Sequence, residues 1–288
     1  MAADGLTLEP VAPACGAEVG GVDLGRPLDA ATVATLEAAL AERGVLFFRD
    51  QQLTAAGQKE LARQFGPLHL HPTWPRLVPG HPEVMEIYTD AHSERIAGEN
   101  WHSDVSCDPR PPLGTLLYLV ETPPVGGDTL FANMCAAFAA LSPPLREFLA
   151  GLTAVHDGEQ VYRRGYGQRP AAEERFPRSV HPVVRTHPVT RHPALFVNRT
   201  FTTGIVELAP RESAALLEML FAHIEEPRFQ CRFSWEAGSV ALWDNRCVQH
   251  LALWDYYPHR RRGLRVTIAG DAPFYEGGAG RGDDVGIS

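Results

Sequence analysis

His102 and Asp104 stand two residues apart in Asn100-Trp101-His102-Ser103-Asp104-Val105. In an extended segment residues i and i+2 project from one face, so one imidazole and one carboxylate are expected to converge on a point. A third ligand from elsewhere would place two histidines and one carboxylate on one face of an octahedron, the arrangement associated with non-haem Fe(II) oxygenases. His250, after Trp243-Asp244-Asn245-Arg246-Cys247-Val248-Gln249, is the candidate. The short motif has low specificity alone. His81-Pro82-Glu83 and His92-Ser93-Glu94 share its spacing, although proline disrupts a ladder in the first and the second lies in a polar, loop-like stretch. For the His102 pair itself, the structural alternative is a strand-edge histidine hydrogen-bonded to a nearby carboxylate.

A basic cluster follows His250. If residues 261–269 form a strand, Arg261, Gly263 and Arg265 share one face, with a side-chain-free gap between two guanidinium groups. Guanidinium is planar, permanently charged and able to bind a carboxylate through two parallel hydrogen bonds, so this face can receive an anion. Arg260 and Arg262, on the opposite face, read as a solvated basic patch.

Elements that could position these groups are legible on both sides. Amphipathic helices are expected at residues 30–43, capped by Asp29, and 55–65, capped by Thr54 with Leu61 and Phe65 on one face. A strand at 45–49 lies between them. From about residue 83 the chain changes to short strand-like runs separated by Gly, Pro and Asp, at 84–88, 113–120, 129–132, 183–186, 194–197, 229–235, 239–243 and 264–269. That pattern implies a mostly β core of sandwich or barrel type. Helices at 144–151 and 210–224, the second with Leu216, Leu217, Leu220 and Phe221 as a stripe, are expected to brace it. Residues 158–178, polar and rich in arginine, read as a long insertion that forms a lid or a disordered loop. A single domain over residues 1–275 with a glycine-rich, fraying tail at 276–288 is the economical organisation.

Bulk properties exclude several function classes. A net charge of −9, without a long Lys/Arg run, would repel phosphate backbones and argues against nucleic acid as partner. No apolar run approaches the roughly 18–20 residues that span a bilayer, so no membrane partner is expected. The N-terminus lacks the basic region and apolar stretch of a secretory signal, which makes the cytoplasm the expected address. Five cysteines, scattered and never in C-x-x-C spacing, are read as reduced thiols rather than a disulfide framework or zinc site. The absence of an H-E-x-x-H helix also speaks against a zinc hydrolase.

Several ordered motifs together carry a resemblance. Asn100-Trp101-His102-Ser103-Asp104, Gly126-Gly127-Asp128-Thr129-Leu130, His181-Pro182-Val183-Val184-Arg185, Trp243-Asp244-Asn245, Gln249-His250 and the run 261–271 follow the order and spacing of the TauD/TfdA family, which the chain resembles from about Gly16 to Tyr275. The resemblance implies a double-stranded β-helix (jelly roll, cupin-like) and an oxidoreductase that uses Fe(II), 2-oxoglutarate and O2, releases succinate and CO2, and hydroxylates a small anionic molecule such as the sulfonate taurine. It implies His102, Asp104 and His250 as iron ligands, and Thr129 with Arg261 as the holders of the distal 2-oxoglutarate carboxylate. Arg265 and His71 correspond to groups that meet the anion of the primary substrate. Asp104 implies hydroxylation rather than halogenation, because related halogenases lack that carboxylate. Family members are often dimers or tetramers, so a homo-oligomer is expected.

Charge explains why these residue types belong together. An iron dication, an aspartate and a chelated dianion leave one negative charge for Arg261 to neutralise. The chain departs from the taurine enzyme where substrate is chosen: Trp74 stands in place of a pocket tyrosine and Gly98 in place of a pocket asparagine, while Phe201 is a plausible apolar wall or plain core. Losing a polar contact shifts the expected substrate towards a less polar molecule than taurine. An alkyl sulfate, an aryloxyalkanoate or an amino-acid-derived acid are alternatives within the same chemistry. A jelly-roll protein that binds metal and dicarboxylate without turnover is the alternative outside it.

Overall fold

A computed structural model describes residues 5–71, 76–165 and 176–277. Alternation along the strands divides the core between two faces of one large sheet. In Arg261–Ile268, Leu264, Val266 and Ile268 enter an outer apolar cluster, while Arg261 and Arg265 line a cavity on the other side. Leu116 and Tyr118 of Gly114–Glu121 join the outer cluster, and Leu117 and Leu119 the inner one.

The large sheet runs in the order Thr7–Pro10, Ala17–Gly20, Val45–Phe48, Val240–Asp244, Gly114–Glu121, Arg261–Ile268, His81–Thr89 and Leu77–Val78, with Leu68–His69 pairing the end of Arg261–Ile268. Its pairings are antiparallel except where Ala17–Gly20 meets Val45–Phe48. A second sheet of Gln230–Phe233, Thr129–Asn133 and Val248–Ala252 packs against its inner face. Aromatic side chains join the two layers: Phe47 stacks on Phe233 with ring centroids 4.0 Å apart, and Phe131 meets Trp243 at 5.7 Å. This is the face-to-face sandwich of a jelly roll.

Ala30–Arg43 and Ala55–Arg63 cover the outer face, burying Leu36, Leu40 and Leu61 against Leu46, Phe48 and Leu242. Both expected caps form, with Asp29 Oδ1 accepting from Thr32 N at 2.7 Å and Thr54 Oγ1 from Gly57 N at 3.0 Å. Gln58 is fully buried and donates through Nε2 to the Leu116 and Leu264 carbonyls, fixing the second helix over the strands that carry the site. On the opposite side Pro210–Ile224 contributes Leu217, Leu220, Phe221 and Ile224 to the inner cluster.

Several expectations change. The strands Thr7–Pro10 and Ala17–Gly20 were not anticipated; the first is exposed along its length and so has no hydrophobic alternation to reveal it. Thr153–Asp157, Arg178–Pro182 and Thr202–Ile205 form a further three-stranded sheet that period counting did not separate from loops. The start of the 158–178 insertion folds into the π-helical turn Gln160–Gly165. Residues 166–175, the tail from 278 onward and Trp74 lie outside the described residues.

Candidate metal and cosubstrate site

His102, Asp104 and His250 are buried together, with one potential ligand atom from each inside a 4.8 Å span. His102 Nε2 and His250 Nε2 lie 3.5 and 3.7 Å from Asp104 Oδ1. A single antiparallel bridge pairs His102 with His250, their backbones exchanging N–H···O bonds of 3.1 and 2.9 Å, and the chain then turns at once. Val105, next to Asp104, has φ 46°, a conformation uncommon for a β-branched residue. The turn follows Asp104, whose carboxylate lies on the same side as the two imidazoles.

Hydrogen bonding orients these groups. His102 Nδ1 lies 2.8 Å from the Asn100 carbonyl, an acceptor only, so Nδ1 carries a proton and Nε2 is the nitrogen left to face Asp104. Burial, and then the neighbouring His102, push His250 well below the ordinary imidazole value and keep it neutral. Burial alone would raise the Asp104 carboxyl, but Arg265 above all, followed by the two histidines, holds it well below the usual range. Two imidazoles and a carboxylate anion therefore face one point, a donor set that suits a divalent first-row metal.

Arg261 and Arg265 do share the buried inward face. Arg262, on the other face, pairs with Glu86 at 2.7 Å and Arg260 is exposed, as expected of the solvated side. Gly263 has a different role from the one expected: a Cβ there would lie 3.0 Å from the Tyr118 carbonyl and 3.1 Å from Leu117, so glycine permits close strand approach. Arg261 donates from Nε to the Gly127 carbonyl at 3.2 Å, and its Nη2 is buried with no hydrogen-bond partner among the described residues. Gly126 and Gly127 have φ of 80° and 74°, and Asp255 Oδ1 accepts from Gly127 N at 2.8 Å. That turn brings the Gly127 carbonyl to Arg261. Thr129 follows it, its hydroxyl accepting from Trp235 Nε1 at 2.9 Å.

A cavity of about 350 Å³ opens over these groups. Thr129, Arg261, Arg265, His71 and Phe201 all line it, together with His102, Asp104 and His250, so each described site residue from the sequence is brought to one place. Burial first, then the charges of Arg265 and His69, push the His71 imidazole down to about 3, so it faces the cavity uncharged. Arg265 Nη2 lies 2.6 Å from Asp104 Oδ1. The rival histidines are elsewhere: neither His81 nor His92 joins a ligand cluster among the described residues. Sequence reasoning missed Tyr162 and Val161, which reach the cavity from the π-helical turn, and Thr115 and Asn245, which contact Asp104. Asn245 lay inside a quoted motif without a role, whereas Thr115 sat unremarked in an apolar strand.

A second buried cluster, His187, Asp244 and Cys247, also has metal-ligand spacing. Arg246 donates from Nε to Asp244 Oδ1 at 2.8 Å and from Nη2 to Oδ2 at 2.6 Å, and His187 Nε2 lies 3.0 Å from Oδ2. Two backbone N–H groups, of Val189 and Thr190, approach His187 Nδ1 at 3.3 and 3.1 Å, which requires a lone pair there. Asp244 raises the pKa of that ring, but this geometry holds it in the neutral Nε2–H form. Both carboxylate oxygens and both ring nitrogens already have partners. The cluster reads as an internal ion pair, not a metal site.

Comparison with known proteins gives the same class. Residues 7–267 match the family described as Taurine catabolism dioxygenase TauD, TfdA family, and the chain belongs to that family. An alpha-ketoglutarate-dependent sulfate ester dioxygenase of Pseudomonas putida is 38% identical, over 93% of this chain and 91% of its own. An alpha-ketoglutarate-dependent dioxygenase, cnsP, of Penicillium expansum is 38% identical over 91% of this chain and 75% of its own. The crystal structure titled as a putative alpha-ketoglutarate-dependent taurine dioxygenase from Burkholderia xenovorans superimposes with a TM-score of 0.82 at 40% identity, covering 93% of this chain and 91% of that one.

Proposed function

We propose that the chain is an Fe(II)- and 2-oxoglutarate-dependent dioxygenase that hydroxylates a small anionic substrate with an apolar body, a sulfate ester or a sulfonate. His102, Asp104 and His250 hold the metal, Arg261 with Thr129 takes the distal carboxylate of 2-oxoglutarate, and Arg265 with His71 meets the anion of the primary substrate. One observation carries the reading: three potential ligand atoms within 4.8 Å stand on the wall of the cavity that the buried Arg261 also lines, its Nη2 lacking a partner among the described residues. When bound, Fe(II) and 2-oxoglutarate supply dioxygen activation, coupling decarboxylation of the ketoacid to hydroxylation of a substrate carbon.

The protein's share is position, charge and exclusion of water. Arg261 is a buried cation whose unpartnered Nη2 suits a carboxylate. Arg265 gives the primary anion a second cation, and neutral His71 adds hydrogen bonding without another charge. Ile87, Ile96, Leu117, Val161 and Phe201 give the cavity apolar walls, which favour an alkyl or aryl body over the short polar chain of taurine. The sulfate ester specificity named for the Pseudomonas putida relative points the same way. Among the described residues, no helix is long and apolar enough to cross a membrane. Five unbridged cysteines suit a reducing compartment such as the cytoplasm. Assembly into a dimer or tetramer rests on the family resemblance.

Succinate release and oxygen consumption across a panel of sulfonates, alkyl sulfates and aryloxy acids test the reading. Stimulation by a medium-chain alkyl sulfate above taurine is expected. Failure of every anion to stimulate succinate formation would favour binding without turnover.

A further inference from the structure

Asp104 has two carboxylate oxygens, and only Oδ1 is turned to the histidines. The hydrogen-bond chain that holds Oδ2 has a fixed direction. Trp243 Nε1 and the Asp104 backbone N are donors only, and both approach Asn245 Oδ1, at 3.1 and 3.2 Å. The Asn245 amide must therefore present Nδ2 to Thr115 Oγ1, at 3.0 Å. Thr115, now accepting, sends its own proton to Asp104 Oδ2 at 2.6 Å. Ser103 Oγ closes the loop by donating to the Asn245 carbonyl at 2.7 Å. All five residues are buried, and the strained Val105 follows directly. Such a backbone persists where its surroundings over-determine it, and the Asn245 clamp on residues 103 and 104 supplies that constraint.

We propose that Thr115 and Asn245 are positioning residues that hold Asp104 as a one-oxygen ligand, with Oδ2 committed to the Thr115 hydroxyl. The inference rests on the assignment of Asp104 as a metal ligand. Without the hydroxyl, the carboxylate would be free to rotate away from the orientation in which Oδ1 meets the two histidines, and the three groups would hold a metal less well. Thr115 comes from the strand between those carrying Trp243 and Thr267, so the large sheet itself sets the carboxylate's angle.

Anaerobic calorimetric titration of Fe(II), with visible absorption after 2-oxoglutarate is added, tests this on wild type, Thr115→Val, Thr115→Ser and Asp104→Ala. Thr115→Val keeps the shape and removes the hydroxyl. It should bind Fe(II) about 10–100-fold more weakly, the usual effect of losing an outer hydrogen-bond partner of a ligand, and shift the absorption band. Thr115→Ser should restore both. If Thr115→Val does not fold, Thr115→Ala carries the same expectation without added bulk. Wild-type affinity and absorption in the Val and Ala variants, with binding abolished in Asp104→Ala, would overturn the positioning role alone. Undiminished Fe(II) binding by Asp104→Ala would overturn the ligand assignment and this inference with it.

Discussion

Two buried clusters of histidine and aspartate lie in this sandwich, and by residue type and spacing they are nearly equivalent. Around Asp104, whose oxygens meet Thr115 and Arg265, the difference lies in the rings: His102 makes its hydrogen bond through Nδ1 alone, His250 Nδ1 has no partner among the described residues, and the neighbouring space is a cavity. Around Asp244, Arg246 and His187 occupy both oxygens and the His187 ring has no lone pair to spare. Composition does not separate the two. Hydrogen-bond accounting does, because a group whose capacity is satisfied internally is architecture and one whose capacity faces a cavity is available for a ligand.

Substitutions that treat the clusters differently sharpen the contrast. The largest effect is expected from Asp244→Asn, which leaves Arg246 buried beside a neutral amide. Breaking such a pair costs about 3–5 kcal/mol, read as lower unfolding free energy in urea, while Fe(II) affinity of the folded variant stays near wild type. The pH dependence has a definite sign. Burial would raise the Asp244 carboxyl, but the Arg246 charge and hydrogen bonds from Arg246 and His187 depress it far below the usual value. Its stabilisation is therefore complete above the unfolded carboxylate pKa of about 3.9 and is lost as pH falls through the lower folded value. The gap between wild type and Asp244→Asn should narrow only below about pH 4; a constant gap down to pH 2 would contradict this.

Arg261→Ala is next in size. It removes the buried cation from the cavity, and the half-saturating concentration of 2-oxoglutarate should rise by two or more orders of magnitude, on the order of 3 kcal/mol, with folding retained. An unchanged 2-oxoglutarate requirement would remove Arg261 from its assigned role. His81→Ala and His92→Ala are expected to change turnover and metal affinity least, within about twofold, since neither residue reaches the cavity. Damage there equal to that of His102→Ala would mean that the wrong histidines had been chosen.

Much of the architecture was legible because it follows from period and caps. Asp29 and Thr54 marked their helices, and Arg261, Gly263 and Arg265 were placed on one face by alternation alone. The unread parts lack local signal. Thr7–Pro10 is exposed throughout, and the π-helical turn that brings Tyr162 to the cavity sits in a polar insertion. At the site, ligand types were readable from the motifs, but the turn at Val105 and the Thr115–Asn245–Asp104 chain depend on strands distant in sequence. The same distance hides the ion-pair character of the Asp244 cluster, whose decisive partner His187 lies 57 residues away.

The most direct measurement is anaerobic titration of Fe(II) into wild type and into His102→Ala, His250→Ala and His187→Ala. One ion per chain in wild type, binding lost in the His102 and His250 variants and kept in the His187 variant, is the result that the cavity cluster requires. Fe(II) binding that survives loss of His102 and His250 but disappears with His187 would contradict it.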